Sequence, residues 1–146
     1  MTGLFQFTAV LSALFFTAIA IYVNIGEHPA RMECGQEVAA TVFGPSYKRA
    51  SKIQVGLVSA ATISGVVLWL MGAGFMWFIG ALFIFAAVPF TLIVMMPINK
   101  ELLDPGLDKN AWKTQELLHK WGRLHAVRSL LGLVSSLIFL SLVIRC

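Results

Sequence analysis

Two short segments of this sequence gather side chains that could move a proton. The first, "NIGEHPAR", places Asn24 and His28 four residues apart, and Glu27 and Arg31 four residues apart. Residues with this spacing lie on one side of a helix. Histidine titrates near neutral pH, so His28 could take a proton from a carbon acid or a phenol. Asn24, Glu27 and Arg31 would then line the substrate site beside it.

The second segment, "WGRLHAVR", places Trp121, His125 and Arg128 at positions i, i+4 and i+7, which share one helix face. It offers an aromatic wall, a second weak base and a fixed cation. Asn99, in "PINKEL", adds an amide. Arginine and amide groups can stabilise an oxyanion. The sequence therefore predicts that His125 or His28 deprotonates an apolar substrate, that Arg128 and Asn99 hold the negative charge, and that Trp121 contacts the substrate.

Arg128 is also expected to have a carboxylate partner. A charge near the centre of a bilayer costs about 2.5 to 3.5 kcal/mol and normally faces the interior of a helix bundle. Glu27 is the nearest acidic residue at a matching depth, so the sequence predicts a Glu27 to Arg128 ion pair.

A metal site is the chief alternative chemistry. His28, His125 and Glu27 could form the two-histidine, one-carboxylate set that binds iron or another transition metal. The chain contains no HxxxH or HExxH motif and no CxxC pair. We therefore expect no cofactor, with a metal as the alternative. Cys34 and Cys146 are predicted on opposite membrane faces, too far apart for a disulfide.

The composition is that of a membrane protein. Of the 146 residues, 58% are hydrophobic and 12% are charged, whereas soluble domains are about 25% charged. The mean hydropathy is +0.83. About 20 apolar residues of helix cross a bilayer. That length predicts spans at about 3–26, 53–71, 76–97 and 121–144 in one domain, 1–146, and hence an all-α, four-helix transmembrane bundle with up-down topology.

The cations predict the orientation of these spans. Lysines and arginines concentrate between spans one and two and between spans three and four, whereas the turn between spans two and three has none. The positive-inside rule places both long loops on one face, in the cytoplasm, and both termini on the other side. The polar segments then meet at a single face. The net charge of +4 indicates contact with anionic lipid and not with nucleic acid.

Small residues predict where the helices pack closely. Gly56, Ala60 and Ser64 recur at every fourth position of span two, and Gly80 and Gly132 lie in spans three and four. Helices associate in lipid through such small residues. The expected partners are the bilayer and a hydrophobic small molecule, and the sequence is also compatible with a homo-oligomer.

The segments "EHPARM", "PINKEL" and "WGRLHAVRSLLG" together resemble the anthrone oxygenase-like family of small four-span membrane proteins. The resemblance covers nearly the whole chain, and its most specific part is W-x3-H-x2-R at Trp121, His125 and Arg128. It implies an oxidoreductase of the monooxygenase type, because some fungal members oxidise anthrones to anthraquinones with molecular oxygen and without a cofactor. Most members have no assigned activity.

Two functions therefore remain open from the sequence. The first is a membrane oxygenase that acts on a hydrophobic aromatic molecule. The second is a non-catalytic scaffold, accessory subunit or lipid-binding protein, in which the same polar cluster holds the helices in register.

Overall fold

A computed structural model describes residues 1–145, and its long elements are four helices. We name them α1 (Thr2–Glu33), α2 (Gln36–Leu70), α3 (Phe75–Leu102) and α4 (Trp112–Ile144). Each is long and apolar enough to cross a membrane. The predicted all-α, four-helix fold is thus confirmed. Cys34 is exposed, whereas Cys146, and with it the predicted absence of a disulfide, lies outside the described residues.

The four helices form a closed ring. Helix α1 packs against α2 and α4, and α3 packs against the same two neighbours. Tight turns connect α1 to α2 and α2 to α3, and the glycines in them, Gly35, Gly72 and Gly74, have positive φ angles of 102°, 80° and 119°. Only glycine adopts such angles readily. The turn that the sequence predicts between spans two and three is therefore confirmed, and it lies at Gly72 and Gly74.

The helices are longer than the apolar runs of the sequence. Helix α2 begins at Gln36 and α4 at Trp112, although the apolar runs predict spans that begin at 53 and 121. The intervening segments are polar but still helical, because charged residues exclude a segment from lipid and not from a helix. The membrane boundaries themselves remain predictions.

Small residues allow neighbouring helices to pack closely at several positions. A Cβ atom at Gly65 would lie 2.9 Å from the Cβ of Ala81, so α2 and α3 nearly touch there. Gly80 and Gly132 are in similarly close contact with aromatic rings of neighbouring helices. A Cβ atom at Gly56, in contrast, would meet none of the described residues within 4 Å, and this glycine is exposed. The predicted contact face therefore holds at Ser64, which is buried, but not at Gly56.

Two π-helical turns interrupt the regular helices, each at the same distance from a proline. Val23–Glu27 in α1 precedes Pro29, and Thr91–Met95 in α3 precedes Pro97. Proline lacks an N–H and its ring clashes with the carbonyl of residue i−4, so the helix widens just before it. A π turn inserts one residue and re-aims the side chains around it, and such turns are frequent at functional sites. One of these turns carries Asn24.

Candidate functional site

Asn24 is turned toward α4 by the first π turn. Its Nδ2 donates to the carbonyl of Gly122 at 3.0 Å, and its Oδ1 accepts from Ser129 Oγ at 2.6 Å. These two bonds fix which end of the amide carries the oxygen. Asn24 thus acts as a rigid link between α1 and α4.

The same Oδ1 of Asn24 lies 2.9 Å from Nδ1 of His125. Because an amide oxygen can only accept, Nδ1 of a neutral His125 must carry the proton. The lone pair of the ring is then on Nε2, the atom that can serve as a base. His125 is only 2% exposed, and Trp121 stacks on it with ring centroids 4.8 Å apart. The predicted proximity of Asn24, Trp121 and His125 is therefore observed.

A hydrogen bond to Asn99 fixes the indole ring of Trp121. Trp121 Nε1 donates to Asn99 Oδ1 at 2.9 Å, and Asn99 Nδ2 donates to the hydroxyl of Tyr47 at 3.3 Å. Asn99 is fully buried. Both ends of its amide are bonded to other side chains, so Asn99 supports the aromatic wall and does not line the space in front of it.

Arg128 has a different partner from the one that the sequence predicts. Its Nη2 donates to Gln54 Oε1 at 2.7 Å, and its guanidinium lies 5.7 Å from the ring centre of Phe16. Glu27 instead pairs with Arg31 at 3.0 Å and accepts from Ser46 at 2.6 Å. The predicted Glu27 to Arg128 pair is wrong, because Arg31 lies one turn from Glu27 on the same helix and takes its carboxylate.

His28 lies beside this cluster without reaching the space that His125 faces. Its ring packs on Trp121, with centroids 5.3 Å apart. On its other side a Cβ atom at Gly122 would lie 2.7 Å from His28 Nε2, so the ring fills the place that a side chain at position 122 would need. His28 therefore packs behind Trp121, and the two histidines are not equivalent.

Two adjoining spaces lie near His125, which lines only the first of them. The first is a small pocket of about 20 Å³, enough for one water-sized molecule, lined among others by Arg31, Trp121 and His125. The second is a cleft of about 420 Å³ between α2 and α3, whose walls are mostly apolar. Four residues line both spaces and mark their junction: Tyr47, Ser51, Gln54 and Arg128. Glu27, His28 and Asn99 line neither.

Several polar atoms around these spaces have no hydrogen-bond partner among the described residues. They are Nε of Arg31, Nε2 of Gln54, Oγ1 of Thr62 and Nε of Arg128. Buried polar groups are normally paired, so each unpaired one calls for an explanation. Three of these atoms are N–H donors of residues that line the small pocket. The pocket therefore suits a ligand that accepts hydrogen bonds or carries negative charge.

Sequence reasoning missed Gln54, Tyr47 and Ser129. Gln54 and Tyr47 are uncharged and lie on α2, so a search for charged and basic residues passes over them. Gln54 is nevertheless 3% exposed and lies within the uncharged run of α2 that begins at 53, and such a buried amide is a usable signal. Ser129 lies one turn after His125, so the i+4 spacing could have found it.

The predicted metal ligands do not converge. Among residues 1–145, no group of three histidine, cysteine, aspartate or glutamate side chains lies close enough to hold a metal ion. Glu27 is ion-paired with Arg31 and accepts a hydrogen bond from Ser46, and His125 is hydrogen-bonded to Asn24. The metal alternative thus finds no assembled ligand set in this part of the chain.

The fold and the site define a small four-helix protein for a membrane, with a buried histidine in a small pocket that adjoins an apolar cleft. The sequence profile of the anthrone oxygenase family matches residues 43–138, more than half of the chain. The chain belongs to this family, as the resemblance predicted. The anthrone oxygenase tpcL of Aspergillus fumigatus is 27% identical over an alignment that covers 96% of this chain and 93% of that protein. No solved structure matches the chain.

Proposed function

We propose that this protein is a membrane oxygenase that removes a proton from an acidic C–H bond of a hydrophobic aromatic molecule and oxidises the resulting anion with molecular oxygen. The observation that carries the proposal is the bond between Asn24 and His125, which leaves Nε2 as the basic nitrogen of a buried histidine in the small pocket that adjoins the apolar cleft. The name of the relative, an anthrone oxygenase, supports the same chemistry.

His125 is the proposed general base. Asn24 keeps the proton on Nδ1 and fixes the direction of the ring, as a third residue does in other base dyads. Trp121 stacks on the imidazole and restricts its rotation. We assign Asn99 and His28 to the support of Trp121, since each contacts it from the side away from the pocket.

Arg128 and Gln54 are the proposed oxyanion donors. Deprotonation of an anthrone delocalises the electron pair onto its carbonyl oxygen, and this oxygen needs donors in place before the charge develops. Arg128 Nε and Gln54 Nε2 have no protein partner among the described residues, and both side chains lie where the pocket meets the cleft. Arg31, fixed by Glu27, adds positive charge to the small pocket.

The oxidation then needs no further reactant. The carbanion gives its electron pair to O₂ in forming a C–O bond, and the peroxide takes the proton held by His125. Removal of the second proton from the same carbon forms the C=O bond, breaks the O–O bond and releases hydroxide, which leaves as water. One oxygen atom enters the product and the other becomes water, so we propose a reaction without a metal or an organic cofactor.

The proposed substrate reaches the site through the bilayer. A hydrophobic aromatic ketone partitions into lipid, and the cleft between α2 and α3 carries exposed apolar residues at its rim, among them Val55, Ile63 and Leu92. We also propose that the loops flanking the polar end face the cytoplasm, in line with the positive-inside rule.

The test is turnover by the purified protein in lipid nanodiscs under ¹⁸O₂. With anthrone as substrate, we expect anthraquinone that carries a single ¹⁸O atom, formed faster than in empty nanodiscs, and unchanged activity after chelation. Activity that disappears with chelation and returns with added iron would overturn the cofactor-free proposal. Formation no faster than in empty nanodiscs would overturn oxygenase action on anthrones.

A scaffold role has one observation in its favour. Asn24 makes three hydrogen bonds to α4, and such a satisfied buried network also rigidifies a bundle without any turnover. If this role is the right one, replacing His125 by alanine lowers the melting temperature and no ligand raises it. If the protein is an oxygenase, the variant stays folded and binds product but does not turn over.

A further inference from the structure

One threonine hydroxyl in the cleft lacks the hydrogen bond that three other helical threonines of this protein make. A threonine inside a helix commonly bonds to the carbonyl four residues before it. Thr8, Thr41 and Thr91 do so in this chain, at 2.9, 2.8 and 2.7 Å. Thr62 does not, and its Oγ1 is buried with no hydrogen-bond partner among the described residues.

Thr62 lies about two helical turns along α2 from Gln54, the partner of Arg128. It lines the cleft on the same helix as Gln54, which binds Arg128 at the junction with the small pocket. Gln54 and Thr62 are eight residues apart, or about 12 Å along the helix axis at 1.5 Å per residue. Val58 lies between them, buried and also lining the cleft. The wall of the cleft is thus mostly apolar between Gln54 and Thr62, with Ser59 as a further hydroxyl on this helix.

We infer that Thr62 is a specificity-determining residue, whose hydroxyl bonds to an oxygen on the part of the substrate that lies farthest from Arg128. This inference rests on the proposed function, because it takes the cleft as the substrate site. Two hydrogen bonds of about 2.8 Å each take up part of the roughly 12 Å between Gln54 and Thr62, and a three-ring molecule can bridge the rest. The group that Thr62 contacts is therefore an oxygen on an outer ring of such a molecule.

Thr91 provides a matched control within the same cleft. It also lines the cleft, but its hydroxyl already donates to the carbonyl of Ala87. Valine has nearly the shape of threonine, so Thr62→Val and Thr91→Val remove one hydroxyl each with little change in packing. Only the first removes a group that is available to a ligand.

The experiment measures binding of two stable probes, anthraquinone and 2-hydroxyanthraquinone, to the full chain in nanodiscs by quenching of tryptophan fluorescence. We expect Thr62→Val to weaken binding of 2-hydroxyanthraquinone about five- to tenfold and to leave anthraquinone unchanged, as the loss of one hydrogen bond requires. Thr91→Val should change neither affinity. Thr62→Ser keeps a hydroxyl and should retain the preference for the hydroxylated probe.

Equal weakening of both probes, or the same loss in Thr91→Val, would overturn the inference. The outcome is separable from that of the proposed function because binding needs no turnover. If Thr62→Val selectively weakens binding of the hydroxylated probe but the wild-type protein oxidises no anthrone, the role of Thr62 stands and the oxygenase proposal falls. If the protein oxidises anthrones but Thr62→Val does not change binding of either probe, the oxygenase proposal stands and the role of Thr62 falls.

Discussion

Asn24 Oδ1 lies 2.9 Å from His125 Nδ1, and this contact joins a π turn of the first helix to the middle of the fourth. The asparagine is held by two further bonds, so it sets both the protonation and the direction of the imidazole. This pair distinguishes a positioned base from a histidine that merely fills space.

Asn24→Ala should lower kcat about 100-fold, because the imidazole can then protonate either nitrogen and rotate, and general base catalysis is worth about 10² to 10⁴ in rate. The KM for an anthrone should change little, since Asn24 does not line the cleft. Steady-state kinetics in nanodiscs measure both constants. Asn110→Ala, in an exposed loop, is the control and should keep full activity. Wild-type kcat in Asn24→Ala would contradict the role of the pair.

The two histidines should differ in their contribution to activity. His125→Ala removes the proposed base, so we expect kcat to fall by about 10² to 10⁴. His28→Ala removes a packing neighbour of Trp121 and should lower kcat less than about tenfold, with a lower melting temperature. Kinetics and thermal unfolding of both variants provide the comparison. A larger loss of kcat in His28→Ala than in His125→Ala would reverse the assignment.

The sequence predicts the helix number, the inward stripe of Trp121, His125 and Arg128, and its meeting with Asn24. These follow from apolar run lengths and helical spacing, which are local properties. It could not predict that Arg128 would bind Gln54, because that contact depends on how α2 and α4 are rotated about their axes. Nor could spacing foresee the π turn at Val23–Glu27, which displaces side chains from the regular i, i+4 register.

Gln54→Leu should weaken both the fold and the activity. Leucine removes the acceptor for Arg128 Nη2 and leaves a buried charge with fewer partners, which we expect to lower the free energy of unfolding by about 1 to 3 kcal/mol. It also removes one proposed oxyanion donor, so kcat should fall at least about tenfold. Denaturation in mixed detergent micelles and turnover assays measure the two effects.

Gln115→Leu, on α4 and outside both spaces, is the matched control for this substitution. It should change neither quantity appreciably. If Gln54→Leu loses stability but retains full kcat, Gln54 only supports Arg128 and does not act on the substrate.

Gly132→Ala should destabilise the bundle. The added Cβ would lie 2.7 Å from Phe16 Cδ1 and from Thr17 Oγ1, so α1 and α4 would have to separate. Such overpacking costs about 1 to 3 kcal/mol. In Gly56→Ala the added Cβ meets none of residues 1–145 within 4 Å, so this variant should stabilise α2 by about 0.5 to 1 kcal/mol. Unfolding in detergent measures both, and equal stabilities of the two variants would contradict the packing described for α1 and α4.

The most direct test of the account is hydrogen exchange of the substrate without oxygen. Under anaerobic conditions in D₂O, wild-type protein in nanodiscs should exchange the methylene protons of anthrone for deuterium faster than empty nanodiscs do, as mass spectrometry would show. His125→Ala, folded and still able to bind anthraquinone, should exchange them only at the background rate. Equal acceleration by wild type and His125→Ala, or no acceleration by either, would contradict proton abstraction by His125.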